Sequence, residues 1–169
     1  MLYWLTQFSD GGDFFNLFRY ITFRAGLAFA TSLIFGFIFG QPLINLLRRK
    51  QGKGQPIRDD GPISHFAKVG TPTMGGLLIL SALIFSTLLW ARLDTPYVWI
   101  VLGVTTAFGL IGFADDYAKV TKQNTKGVSS KLRIFLGLVI AALATYGASY
   151  FQPPELSHQL ALPVFKNLL

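Results

Sequence analysis

The chain has 169 residues, of which 51% are hydrophobic and 14% charged, with sixteen phenylalanines and a mean hydropathy of +0.47. That balance excludes an ordinary water-soluble domain and points to an integral membrane protein. There is no cysteine, which excludes a disulfide framework and thiol chemistry, and the net charge of +7 lies between apolar runs, where it reads as a topology signal and not as a nucleic-acid surface.

Residues 1–20 have no basic leader and no small-residue cleavage site, so they do not read as a signal peptide. Their aromatics (Tyr3, Trp4, Phe8, Phe14, Phe15, Phe18 and Tyr20) suit an interfacial segment lying at the headgroups. Apolar runs at about 25–47, 74–91, 97–114 and 134–151 predict four membrane spans. Three of them are close to the minimum length, so tilt and flanking residues must complete them. Gln41-Pro42 predicts a break and a kink near the end of the first. The short stretch Arg92-Leu93-Asp94-Thr95-Pro96 makes the second and third an antiparallel pair. Gly103, Gly109, Gly112 and the Gly137/Ala141 pair permit close helix approach. Residues 152–169 read as an interfacial tail or as the lead-in to a further span. The fold class is therefore an all-α integral membrane protein.

Orientation follows from the basic residues. Loops 48–73 and 115–133 hold eleven of the fifteen Lys and Arg residues and, once their four aspartates are deducted, the whole net charge. Both loops are predicted to be cytoplasmic, with the N-terminus and the tail on the other side.

The chemistry concentrates in these loops. In Gly112-Phe113-Ala114-Asp115-Asp116-Tyr117-Ala118-Lys119 an apolar run stops at two carboxylates and a lysine. Such groups are costly at a membrane unless they meet water, a partner or a metal. On a helix Asp115 and Lys119 share a face, and Asp116 is about 100° round from Asp115. A helix ending at Ala114 would set both acids at the negative end of its dipole. Either the helix runs on past Asp116, or positive charge compensates: Lys119, Lys122 or a divalent cation. Mg²⁺ commonly takes one or two carboxylates and substrate phosphate oxygens. One aspartate can then hold the metal while the other acts as base or nucleophile; a solvated ion-pair cluster is the plain alternative.

The loop before the second span carries His65, Lys68, Thr71, Pro72, Thr73 and the Gly75-Gly76 pair. Lysine, hydroxyls and backbone N–H groups at a helix start make an anion site. The plain reading is a capped helix start with Lys68 as an interfacial anchor. His65 has no second His or Cys at ligand spacing and reads as a hydrogen-bonding group. The loop before the fourth span adds Lys126, Lys131 and Arg133. Together the loops suggest phosphoryl chemistry between a soluble nucleotide substrate and a lipid phosphate.

Three motifs in this order resemble a known family: Asp-Gly-Pro-x-Ser-His-x-x-Lys-x-Gly-Thr-Pro-Thr-Met-Gly-Gly (60–76), Gly-Phe-x-Asp-Asp-Tyr-x-Lys (112–119) and Asn-Thr-Lys-Gly (124–127). They are similar to the phospho-N-acetylmuramoyl-pentapeptide transferases, the MraY-type translocases. The resemblance runs along essentially the whole chain. It implies transfer of phospho-N-acetylmuramoyl-pentapeptide from its UDP-activated form to undecaprenyl phosphate, giving lipid I and UMP, with Mg²⁺, at the cytoplasmic face of the bacterial inner membrane. It implies that Asp115 and Asp116 are the paired catalytic aspartates, with Asp115 the better candidate base and a covalent aspartyl route competing. Lys68, Thr73 and Lys119 match polar positions around the phosphates, and His65, Thr71 and Lys126 are further loop contacts. Lys131 matches another basic position, although many relatives show Arg then Lys where this chain has Lys131 and Arg133.

The family's chains run to roughly twice this length, with about ten spans. Their later half carries a third, metal-holding aspartate, a uridine-site loop and a histidine-rich loop, none of which is in this sequence. The resemblance therefore implies an N-terminal portion that needs the remaining half or a homo-oligomeric partner. A non-catalytic module binding lipid phosphate or a partner protein, and a related N-acetylglucosamine-phosphate transferase, are the competing readings; the Lys68–Gly76 element speaks against the latter.

Overall fold

A computed structural model describes residues 1–52, 72–123 and 127–153. Every element among them is helical. Two short 3-10 helices, Leu2–Phe8 and Phe14–Arg19, precede α1 (Ile21–Gln51), α2 (Gly76–Trp90), α3 (Pro96–Lys122) and α4 (Ser130–Phe151).

Local sequence explains most boundaries. Pro96 opens α3, where its missing N–H leaves no intrahelical bond unmade. The Ser129 hydroxyl caps α4 by accepting from the Leu132 N–H. Arg48, Arg49 and Lys50 occupy the last turn of α1, and Lys119 and Lys122 the last turn of α3, where the helix dipole favours cations. Gly52 at φ +56° and Gln123 in the left-handed region end these two helices.

Three helices, α1, α3 and α4, are long and apolar enough to cross a membrane; α2 has 15 residues and spans only about 22 Å against a hydrocarbon core of about 30 Å. The four expected spans are thus three long helices and a short one. The structure differs from the sequence expectation in three further ways. α1 is one helix through Pro42; a proline's lost bond is tolerated in a long apolar helix whose neighbouring turns remain intact. The loop expected from 115 begins only after Lys122: α3 continues seven residues past Asp115, the run-on left open on helix-dipole grounds, so both aspartates are helical. Gly103 and Gly112 face open space, whereas a Cβ at Gly109 would collide with Leu80, one at Gly137 would touch Phe108 and one at Gly147 would touch Ile100. Close approach is therefore confined to the glycines that face a neighbouring helix.

α1 packs along α2 and α3 along α4, with α2 joining the pairs. Within the α1–α2 seam the Ser32 hydroxyl donates to that of Ser86 over 2.7 Å, and the Trp90 indole donates to Thr31 over 2.9 Å. Phe35 lies on Phe85 with centroids 5.6 Å apart. Outward faces are apolar: Phe37 is 77% and Ile79 71% exposed. Water would penalise that surface, whereas lipid would not. The antiparallel helices bring the end of α1, the start of α2, the last turns of α3 and the start of α4 together. The N-terminal aromatics gather at the other end, where Phe18 stacks on Trp90.

Candidate active site

Asp115 is the centre of this polar end. It is 7% exposed, and both of its oxygens are engaged. Oδ2 lies 2.7 Å from the Lys119 ammonium, one turn on along α3. Oδ1 accepts from the Arg133 guanidinium over 2.6 Å and from the Val128 N–H over 2.8 Å. The face-sharing of Asp115 and Lys119 follows from helix spacing, but Arg133 arrives from α4 and Val128 from the turn before it. That turn is tight because Gly127 sits at φ +57°, a region side chains rarely adopt. A Cβ there would also fall on the Asp115 carboxylate and the Lys119 stem.

Asp116 is held differently. Its Oδ2 accepts from the Thr73 hydroxyl over 3.1 Å, and its Oδ1 lies 3.8 Å from Lys119. Thr73 is in turn fixed by Gln51, the last residue of α1. The Gln51 amide accepts from the Thr73 N–H over 2.9 Å and donates to the Thr73 carbonyl over 3.0 Å. Gln51 is itself buried. Next in the chain, Met74 is buried at φ 70°, a strained conformation for a residue with a Cβ. This strained turn is overdetermined by the Gln51 clamp on one side and the start of α2 on the other.

Two carboxylates and two cations thus form a near-neutral quartet. They are not equivalent. Asp115 is saturated with donors and organises the cations. Asp116 is the more accessible carboxylate, and among the described residues its only cation, Lys119, is at the outer limit of an ion pair. It borders a cavity of about 320 Å³ that Asp115, Met74, Gly112 and Phe113 also line. That volume admits a phosphate or a hydrated divalent cation. Among the described residues no three metal-ligating side chains cluster. The donor set nevertheless fits a cation that takes one protein carboxylate, several waters and a ligand's phosphate oxygens, and Asp116 is the group that would hold it.

Of the sequence-derived site residues, Asp115, Asp116, Thr73 and Lys119 come together here. Lys131 is exposed and forms no ion pair with either aspartate; the neighbouring base that does is Arg133. A helix places 131 and 133 about 200° apart, so only one of them can face Asp115. His65, Lys68, Thr71 and Lys126 lie outside the described residues. The parts that Gln51 and Gly127 play in the site emerge from the structure. The Asn-Thr-Lys-Gly motif ends on Gly127 and was a signal for it; nothing in the sequence marked Gln51.

Apolar helices capped at one end by a carboxylate–cation quartet and a Pro-Thr-Met-Gly-Gly turn define a polytopic membrane protein with a charged cluster at one end of its helices. Residues 68–80 match the family model described as phospho-N-acetylmuramoyl-pentapeptide-transferase signature 1, a stretch that includes Thr73 and the start of α2. Over all 169 residues the chain is 73% identical to a protein of Ruegeria sp. (strain TM1040) named phospho-N-acetylmuramoyl-pentapeptide-transferase, covering 47% of that relative. Proteins of the same name from Dinoroseobacter shibae and Rhodopseudomonas palustris are 67% and 54% identical over 100% and 99% of this chain, and 47% and 46% of their own lengths. The chain belongs to the phospho-N-acetylmuramoyl-pentapeptide-transferase family and spans about half the length of the curated relatives it matches.

Proposed function

We propose that the chain takes part in moving phospho-N-acetylmuramoyl-pentapeptide from UDP to undecaprenyl phosphate, forming lipid I and releasing UMP. The observation that carries this reading is the quartet itself: Asp116, tied to the signature residue Thr73, beside an Asp115 that holds Lys119 and Arg133 at one end of apolar helices. In this reaction an oxygen of the lipid phosphate bonds to the sugar-bearing phosphorus, and the bond from that phosphorus to the oxygen bridging it to UMP breaks. Charge builds on the phosphoryl oxygens, so fixed cations at short range favour the transition state.

In this reading Asp115 positions Lys119 and Arg133 for the phosphates and is the candidate base for the lipid phosphate. Asp116 would hold Mg²⁺, which when bound supplies charge neutralisation to the diphosphate. Lys68, Lys131, His65, Thr71 and Lys126 belong to the same face by sequence and are proposed as phosphate and loop contacts. The setting is a bacterial inner membrane with the quartet at the cytoplasmic side, as the basic loops direct. The rest of the relatives' length, in the same or a second polypeptide, completes the site.

The test is Mg²⁺-dependent UMP release, measured for the chain alone and co-expressed with a polypeptide covering the remainder of the relatives. Asp115→Asn and Asp116→Asn are each expected to lower release by about 100-fold or more, the scale of losing a transition-state electrostatic group. Release unaffected by both substitutions refutes the assignment. Polyprenyl-phosphate binding without release in either preparation favours a non-catalytic module.

A further inference from the structure

The end of the bundle opposite Asp115 holds a second concentration of charge. A cleft of about 380 Å³ lies between the start of α1, the end of α2 and the start of α3, and Arg24, Arg92, Trp90, Thr87 and Thr95 line it. Arg24 donates one guanidinium N–H to the Trp90 carbonyl over 3.3 Å. Its Nε is buried and donates to no group among the described residues. Its guanidinium carbon lies 4.9 Å from the centre of the Tyr3 ring, and that of Arg92 lies 4.7 Å from the same centre. Two cations thus converge on one aromatic ring. The acid beside them is Asp94, which Arg92 engages over 2.7 Å at an exposed position. Asp94 forms no ion pair with Arg24, so among the described residues two guanidinium groups at the cleft stand against one carboxylate. Arg24 and Arg92 both border the cleft, and an anion's oxygen there would gain charge-assisted hydrogen bonds from their guanidinium groups.

The depth of the cleft fits a headgroup. α2 is short for a bilayer, so the α2–α3 turn and its arginine are drawn toward the level of the lipid phosphates. Trp90 and Tyr3 are aromatics of the kind that settle there. The remaining walls, including Ala25, Ala28 and Val98, are apolar and suit the upper part of an acyl chain. Basic pockets between membrane helices bind anionic headgroups for these reasons.

We propose that this cleft is a binding site for a phosphate-bearing anion, read by Arg24 with help from Arg92, and separate from the Asp115 quartet. Native mass spectrometry of the full chain in neutral detergent tests it. Phosphatidylglycerol, diacylglycerol with the same acyl chains, and inorganic phosphate are the probes. Phosphatidylglycerol should bind saturably at least about tenfold more tightly than diacylglycerol, the scale of one charge-assisted contact. Arg24→Gln should abolish that preference and Arg92→Gln should reduce it, while Arg19→Gln, outside the cleft, should leave it unchanged. If inorganic phosphate binds in an Arg24-dependent way and the lipid preference is absent, the site reads free phosphate and the proposal stands with a soluble source. Should Arg24→Gln lose helicity by circular dichroism, the wild type decides: displacement of phosphatidylglycerol by millimolar phosphate supports the site. Equal binding of both lipids with no phosphate effect overturns the proposal, as does a phosphatidylglycerol preference that survives both cleft substitutions. None of these readouts depends on UMP release.

Discussion

Gln51→Leu isolates the contact that ties α1 to the site. Gln51 makes two hydrogen bonds to the backbone of Thr73, at 2.9 and 3.0 Å, and Thr73 in turn donates to Asp116 at 3.1 Å. Leucine fills a similar volume but offers neither donor nor acceptor. Each lost bond is worth about 0.5–1.5 kcal/mol net of exchange with water, and two are lost. The expected loss is about 1–3 kcal/mol, concentrated in the turn and not spread over the bundle. That corresponds to roughly 5- to 150-fold more frequent opening of the turn. Amide hydrogen exchange of residues 72–76, followed by mass spectrometry in nanodiscs, reads this directly. Gln51→Glu keeps the acceptor for the Thr73 N–H and loses the donor, so it should fall between wild type and Gln51→Leu. The Met74 backbone, strained at φ 70°, should relax once the clamp is gone, which adds to the exchange. A Gln51→Leu protein with native helicity and unchanged exchange at 72–76 would show that the clamp does not hold the turn.

Arg133→Gln leaves Asp115 with Lys119 and the Val128 N–H, so the expected destabilisation is about 1–2 kcal/mol, reduced from the buried-pair value because the Arg133 side chain is 51% exposed. Lys131→Gln should change thermal stability by less than about 0.5 kcal/mol, and an effect equal to that of Arg133→Gln would contradict the geometry. Gly127→Ala should cost about 1–3 kcal/mol, because φ +57° is strained for alanine and its Cβ meets the Asp115 carboxylate; an unshifted unfolding midpoint would rule that out. Ser86→Ala removes the bond to Ser32 in the α1–α2 seam and should cost only about 0.6 kcal/mol, the usual scale for hydrogen bonds between membrane helices. A chemical-denaturation loss above about 2 kcal/mol would assign that seam a larger role.

The sequence by itself determined the class of fold and the core of the site. Apolar runs of span length between basic loops admit little but membrane helices, since backbone polar groups cannot be left unpaired in hydrocarbon. Helix spacing alone sets Asp115 against Lys119, because residues four apart are neighbours whatever the rest of the chain does. The Thr-Pro-Thr-Met-Gly-Gly and Gly-Phe-Ala-Asp-Asp motifs marked the segments that meet. Tertiary structure decided everything that depends on one helix facing another. It selected Arg133 over Lys131, since the rotation of α4 about its axis is fixed by packing and not by composition. It made Gly109 a contact and left Gly103 and Gly112 open for the same reason. It carried α1 through Pro42 to Gln51, where an unremarked polar side chain clamps Thr73. It also separated the two aspartates, one saturated with donors and one more exposed at the cavity they share. Adjacent residues on a helix point about 100° apart, and only the surrounding elements decide which of them meets two cations at short range and which is left more accessible.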